Sequence, residues 1–289
     1  MRASARRVAA LVRLTRPVNV VMFFAGVALG GLLVAGAEAF EGASAGALAL
    51  AMGSAALIGA GANAINDVFD LEIDRVNRPG RPLPSGEVSV GAARSVWAAC
   101  SALGIGLGAF VSWAHLGIAA GSVALLYGYS ARLKRTPLAG NVAVALVLGL
   151  AIFYGGLAVG PATGALWLGA AFAFGSTLAR EVAKDLEDVA GDAAGGARTL
   201  PIVLGERAAA AVAAVAAGAT LAALPLGPAA GLGSDFLALA LPAAGLLLAA
   251  TWALLGAPGS GEGAARASAL FKAAMVAGIL ALAAGQLVG

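Results

Sequence analysis

The chain has 289 residues, 61% of them hydrophobic and only 11% charged, with a mean hydropathy of +0.92. Soluble domains carry about 25% charged residues, so this composition excludes an ordinary soluble protein and leaves an all-α, polytopic membrane helix bundle. The net charge of +3 is too small to point to nucleic acid, and no such partner is expected. With one cysteine, Cys100, and one histidine, His115, the chain can form no intramolecular disulfide and no zinc site built from those two residue types. His115 also lies far in sequence from every acidic cluster that a Ser-His-Asp hydrolase would need.

The N-terminus places Arg2, Arg6, Arg7, Arg13 and Arg16 among Val, Ala and Leu. This pattern predicts a short basic amphipathic helix on an anionic membrane surface. The alternative is a signal peptide with Ala35-Gly36-Ala37 as its cleavage site. Spans of about 20 apolar residues are then predicted at 18–37, 45–69, 91–109, 113–130, 138–159, 164–184, 208–226, 236–255 and 267–288. The third and fourth are joined by a very tight turn. The count is about nine, in one integral-membrane domain covering 1–289. On this count all 18 Lys and Arg fall on the side of the N-terminus, while the opposite loops hold only Glu38, Glu41, His115 and Asp235. The positive-inside rule then puts the N-terminus in the cytoplasm and the C-terminus outside.

The second span runs into Asn66-Asp67-Val-Phe-Asp70-Leu-Glu-Ile-Asp74, followed by Arg75, Arg78-Pro79 and Arg81-Pro82-Leu-Pro84-Ser85-Gly86. Asn66, Asp70 and Asp74 recur every four residues, which stacks them on one helical face. Like charges so spaced repel, and at a helix C-terminus they also oppose the macrodipole. Such a stack calls for a positive partner. Oxygen ligands of this kind suit Mg²⁺, held by one or two carboxylates with water and phosphate, and the arginines suit phosphate oxygens. The sixth span runs into Arg180-Glu181-Val-Ala-Lys184-Asp185-Leu-Glu187-Asp188-Val-Ala-Gly191-Asp192. Glu181, Asp185, Asp188 and Asp192 again share one face, and both clusters emerge on the cytoplasmic side. Two such stacks can share divalent ions bridged by a diphosphate. An apolar bundle above them would take an isoprenoid tail and keep water from an allylic carbocation. Intramembrane ionisable residues are functional candidates by default.

At these residues the chain resembles the UbiA superfamily of intramembrane prenyltransferases. The family pattern is an N-D-x-x-D-x-x-x-D motif after the second helix and a D-x-x-x-D-type motif after the sixth, on nine helices. The second motif looks most like the ether-lipid branch, with Val182, Leu186 and Val189 where that branch usually has isoleucine. Arg16-Pro17-Val-Asn19 and the stretch from Tyr129 through Arg132, Lys134 and Arg135 to Asn141 point the same way.

The resemblance implies Mg²⁺-dependent transfer of a geranylgeranyl group from its diphosphate to the glycerol hydroxyl of geranylgeranylglyceryl phosphate. The expected partners are a polyprenyl diphosphate donor, a lipid-like acceptor and membrane lipid, in the plasma membrane with the site facing the cytoplasm. Asn66, Asp70 and Asp74 with Asp67 close by form one expected metal set, and Asp185, Asp188 and Asp192 the other. Asp70, Asp74, Asp185 and Asp188 are the carboxylates expected to carry catalysis. Arg75, Arg78, Arg81, Lys134 and Lys184 are candidate diphosphate contacts, although positive-inside charge also accounts for them. Tyr127 and Tyr129 can face a cation or sit in an interfacial belt. Asn19 and Asn141 can touch acceptor or bond across helices. A superfamily member with an aromatic acceptor would share the metals. A transporter would place its carboxylates near the midplane on broken helices, not at the membrane edge.

Overall fold

The computed structural model describes residues 2–256 and 260–288, and every regular element among them is helical. In chain order the helices are α1 (Arg2–Leu14), α2 (Pro17–Ala35), α3 (Gly42–Phe69), α4 (Leu71–Asn77), α5 (Val90–Val111), α6 (Trp113–Ala131) and α7 (Ala139–Val159). They continue as α8 (Gly164–Glu187), α9 (Val189–Ala194), α10 (Leu200–Leu204), α11 (Glu206–Ala223), α12 (Phe236–Gly256) and α13 (Gly261–Val288). Local chemistry sets several of these boundaries. Pro17 opens α2, where its missing N–H costs nothing. Ser89, Ser112 and Thr163 cap α5, α6 and α8 by accepting from the backbone N–H of Ala92, His115 and Leu166. The tight turn expected between the third and fourth spans is the single extended residue Ser112, which ends α5 and caps α6.

Among the described residues, seven segments, containing α2, α3, α5, α7, α11, α12 and α13, are long and apolar enough to cross a membrane. Helices α6 and α8 are of similar length but more polar. Helix α6 carries His115 and two tyrosines, and α8 ends in Arg180, Glu181, Lys184, Asp185 and Glu187. The exterior bears large apolar side chains such as Phe110, Trp113, Trp252 and Leu280, as a lipid-facing surface requires.

Helices α2, α3, α6 and α7 pack around Val27, Leu48, Ile58 and Tyr154. Helices α7, α8, α11, α12 and α13 pack around Leu166, Phe172, Phe236, Leu247 and Phe271. Helix α7 stands between the two groups, and glycine lets it meet α2 backbone to backbone. A Cβ on Gly30 would lie 1.8 Å from the Ile152 carbonyl oxygen, and one on Gly155 would lie 1.8 Å from that of Val27. Small residues of this kind drive close approach where no hydrophobic effect separates helix from lipid.

The N-terminal helix is more than a surface anchor. Ala10 and Leu14 of α1 are buried against Ala64 of α3 and against Leu83 and Val88 of the α4–α5 loop. Val8 and Val12 stay exposed on the other side. Helix α1 thus pins the proline-rich loop that follows the first acidic motif.

Candidate active site

Both motif helices break at an aspartate. Helix α3 ends at Phe69, and Asp70 takes φ −93°, ψ 1° before α4 begins; α8 ends at Glu187, and Asp188 takes φ −99°, ψ 8° before α9. This bridge conformation is sparsely populated and recurs at active sites. The single continuous helical face expected for Asn66, Asp70 and Asp74 is therefore interrupted at Asp70. Asp70 N–H still donates to the Asn66 carbonyl at 3.0 Å and Asp74 N–H to the Asp70 carbonyl at 2.8 Å, so the four-residue spacing survives the bend. On the other motif helix, Asp188 N–H donates to Lys184 at 3.0 Å and Asp192 N–H to Asp188 at 2.9 Å.

In the first cluster, Asn66 Nδ2 donates to Asp70 Oδ2 at 2.9 Å. Lys134 Nζ, reaching in from the α6–α7 loop, donates to Asp70 Oδ1 at 2.5 Å and to Asn66 Oδ1 at 3.2 Å. Ser130 Oγ at the end of α6 also approaches Asn66 Oδ1, at 3.4 Å. Burial pulls the Lys134 pKa below the ordinary lysine value, and the hydrogen bond to Asp70 works against that. Asp67 and Asp74 lie deeper, at 2% and 5% exposure. Asp67 is paired with Arg16, and Arg81 Nη1 reaches Asp74 Oδ2 at 2.5 Å and Asp67 Oδ1 at 3.4 Å. Asn63 Nδ2 donates to the Thr15 carbonyl at 2.9 Å and its Oδ1 accepts from Asn19 at 3.4 Å, tying α2 to the motif helix.

In the second cluster, Asn141 Nδ2 at the start of α7 donates to Asp185 Oδ2 at 2.9 Å. Arg180 pairs with Glu181 at 2.6 Å. Lys184 and Asp188 are exposed and Asp192 is half-buried. Burial and the neighbouring Asp188 carboxylate push the Asp192 pKa up. Tyr129 of α6 has Glu181, Asp185, Asp70 and Arg16 as charged neighbours, so it stands in the field of both clusters.

The loop between α6 and α7 is wound tightly enough to serve both sides. Leu138 adopts φ 62°, a conformation that non-glycine residues rarely hold outside functional sites. A Cβ on Gly140 would meet the Leu133 carbonyl oxygen at 2.8 Å, so this turn requires glycine. The Arg135 carbonyl accepts from Arg198 N–H at 2.9 Å, which fastens the loop after α9 as well.

Of the residues picked out from the sequence, Asn66, Asp67, Asp70, Asp74, Arg81 and Lys134 come together in one cluster, and Asn141 joins Asp185 in the other. Arg75 instead pairs with Glu72 at 2.7 Å on the exposed surface of α4, and Arg78 is exposed. Arg16, Asn63 and Ser130 belong to the site and were not singled out. Arg16 entered only as part of the Arg16-Pro17-Val-Asn19 stretch and among the N-terminal arginines, with no site role assigned. Asn63 carried a usable signal, since it continues the Asn66–Asp70 face one turn earlier.

Among the described residues, no three acidic, His or Cys side chains converge closely enough to hold a metal ion by themselves. The donors present are nonetheless carboxylate and carboxamide oxygens, and a cation already sits in the angle between Asn66 and Asp70 in the form of Lys134. That chemistry fits Mg²⁺, which takes one or two carboxylates and completes its shell with water and substrate phosphates. Beyond the cluster, between α3, α6 and α7 with Phe23 of α2, lies a small apolar cavity of about 30 Å³.

The UbiA prenyltransferase family model matches residues 22–285. The chain belongs to the UbiA prenyltransferase family. It is 44% identical over 279 residues to a digeranylgeranylglyceryl phosphate synthase of Methanopyrus kandleri, covering 96% of this chain and 99% of that one. It is 39% identical over 283 residues to the enzyme of that name from Natronomonas pharaonis, covering 97% and 98%. A solved structure described as giving insights into digeranylgeranylglyceryl phosphate synthase in membranes superposes with a TM-score of 0.85 at 28% identity, over 98% of this chain and 99% of that one. A UbiA homologue from Archaeoglobus fulgidus bound to GPP and Mg²⁺ shares the fold at a TM-score of 0.70 and 22% identity, over 92% and 99%. In this UbiA protein both acidic motifs lie within the matched region.

Proposed function

We propose that this UbiA protein transfers a geranylgeranyl group from geranylgeranyl diphosphate to the free glycerol hydroxyl of geranylgeranylglyceryl phosphate. The allylic carbon–oxygen bond of the donor breaks and an ether carbon–oxygen bond forms. Pyrophosphate and the hydroxyl proton leave, and the product is a diether lipid phosphate. The observation that carries this reading is the pair of oxygen-donor clusters held by Lys134 and Asn141, two residues only seven apart, in an apolar helix bundle. The near-full-length similarity to digeranylgeranylglyceryl phosphate synthases supports the acceptor.

Mg²⁺ is the implied cofactor, consistent with the donor set and with the Archaeoglobus homologue, and when bound it neutralises the departing pyrophosphate. Asn66, Asp70 and Asp74 would hold it on one side, with Asp185, Asp188 and Asp192 on the other. Asp67, buried between Arg16 and Arg81, holds those two cations in place beneath the first set. Lys134, Arg81 and Lys184 supply fixed positive charge where negative charge develops on the leaving oxygens. Asn141 orients Asp185, and Asn19 with Tyr129 borders the space left for the acceptor. The apolar helix bundle excludes water, so the allylic cation meets the hydroxyl instead of being hydrolysed.

Residues 1–289 form a single membrane domain of nine spans, with α6 and α8 crossing alongside the seven more apolar segments. Lys and Arg segregation supports a cytoplasmic N-terminus and a site facing the cytoplasm, in the plasma membrane. A reporter fused to the C-terminus should then read as external, and a cytoplasmic reading would refute the orientation.

The acceptor is tested by competition in detergent. Purified protein with Mg²⁺ and labelled geranylgeranyl diphosphate is offered geranylgeranylglyceryl phosphate and 4-hydroxybenzoate together. Label is expected in the diether phosphate. Label in a prenylated benzoate would keep the donor and move the acceptor to the aromatic class.

A further inference from the structure

A glycerol phosphate acceptor brings an anion of its own, distinct from the donor diphosphate. The cations of the first cluster are already committed to carboxylates: Lys134 to Asp70, Arg81 to Asp74 and Asp67, and Arg16 to Asp67. On the second motif helix Lys184 is exposed, while the Arg180 side chain is held among the helices at 28% exposure.

Arg180 is only half used. Its Nη1 donates to Glu181 Oε1 at 2.6 Å, and its Nε is buried with no hydrogen-bond partner among the described residues. One turn earlier on α8, Thr177 is 1% exposed and its hydroxyl is also without a partner. Thr177, Arg180 and Lys184 are spaced by three and four, so the two unpaired donors share one stripe of α8. Buried donors are paired in nearly all proteins, and two unpaired ones on one stripe point to a ligand rich in acceptor oxygens. The Nη1 contact fixes the guanidinium plane and leaves the Nε–Nη2 edge, whose parallel N–H bonds match an oxyanion.

The position suits the acceptor. Arg180 precedes Asp185 by five residues, about 7.5 Å along the axis at 1.5 Å per residue. Glu181, which holds Arg180, is also a charged neighbour of Tyr129, which borders the acceptor space. Phosphate and reacting hydroxyl sit on one glycerol unit, so a hydroxyl presented to a donor between Asp70 and Asp185 brings its phosphate to this side of α8.

We infer that Arg180, with the Thr177 hydroxyl, binds the acceptor phosphate and so selects a phosphorylated glycerol over a neutral one. The inference rests on the glycerol phosphate reading above. The Nε–Nη2 edge donates to two phosphate oxygens and Thr177 to a third. The diphosphate stays with Lys134, Arg81 and Lys184, so donor and acceptor anions are held by separate cations.

The test compares kcat/KM for geranylgeranylglyceryl phosphate and for geranylgeranylglycerol, its dephosphorylated alcohol, with donor and Mg²⁺ saturating. The wild-type protein should prefer the phosphate by about a hundredfold or more, because a site built to hydrogen-bond a group rejects the analogue lacking it. Arg180→Lys keeps a cation for Glu181 and removes only the planar fork, and should lower that preference by about tenfold. Arg180→Met should lower it by about a hundredfold. Both changes should fall on acceptor KM and leave donor KM as it is. Thr177→Val keeps the buried volume, should lower the preference by about tenfold, and carries the test should Arg180→Met not fold. Equal losses with both acceptors in the Arg180 variants would overturn the inference, Arg180 then serving Glu181 alone. A rise in donor KM would overturn it too, by making Arg180 a diphosphate contact. An unchanged preference in Arg180→Lys and Thr177→Val would do the same. A wild-type protein that prenylates neither glycerol acceptor would instead refute the function proposed above, so the two failures are separable.

Discussion

Lys134 of the α6–α7 loop and Asn141 in the first turn of α7, seven residues apart, each reach one of the two acidic motifs. Lys134 Nζ holds Asp70 and Asn66 at the end of α3, and Asn141 Nδ2 holds Asp185 at the end of α8. Two motifs more than a hundred residues apart in sequence are thus set in register by a loop that belongs to neither. The strained Leu138 and the obligatory Gly140 lie between these contacts. The backbone therefore holds Lys134 and Asn141 apart at a fixed separation.

Lys134→Met should lower turnover by about a hundredfold, the scale of losing one preorganised charge donor, with the larger effect on kcat. The apolar stem is kept, so folding should be little changed. Initial rates over a range of donor and Mg²⁺ concentrations check this. A rate within a few-fold of wild type would show that Lys134 only neutralises Asp70.

Asp70→Asn and Asp185→Asn should each abolish turnover while the protein remains monodisperse in detergent. Both substitutions keep side-chain volume, remove the charge and turn one acceptor oxygen into an NH2 donor, which at Asp70 would face Asn66 or Lys134, both donors. Chelator should likewise stop turnover and added Mg²⁺ restore it. Normal rates in both variants, or turnover unaffected by chelator, would remove the metal from the reaction.

Asp67→Ala should act on stability before chemistry. It leaves Arg16 and Arg81 facing a buried gap, and removing one partner of a buried ion pair costs about 3 kcal/mol, the lower end of the range because Arg16 keeps part of its hydration. A lower melting temperature in detergent with an unchanged Mg²⁺ requirement in the surviving activity is the expected result. A changed Mg²⁺ requirement at wild-type stability would return Asp67 to the metal set.

Gly30→Ala and Gly155→Ala should each prevent accumulation of folded protein. Either Cβ would fall 1.8 Å from a backbone carbonyl oxygen of the facing helix, so relief requires α2 and α7 to separate. Size-exclusion profiles of the solubilised variants test this. A normal profile for both would mean that α2 and α7 pack less closely than 1.8 Å implies.

Composition and periodicity were enough for the all-helical membrane class, and charge placement was enough to find both acidic motifs. Hydropathy acts over about 20 residues, and i,i+4 spacing acts within one helical turn, so both can be read along a single chain. The bend at Asp70 and its counterpart at Asp188 follow no such local rule. Arg16 stood out in the sequence only as part of the Arg16-Pro17-Val-Asn19 stretch, with no partner indicated, and its pairing with Asp67, 51 residues on, is a tertiary contact. The buried polar contacts of Ser54, His115 and Tyr154 against Gly108 draw on four different helices. Their juxtaposition is a product of how α3, α5, α6 and α7 cross. Local pattern therefore determined which residues carry the charge, and the tertiary structure decided which charges meet, because contacts such as Arg16–Asp67 and Asn141–Asp185 join residues far apart in sequence.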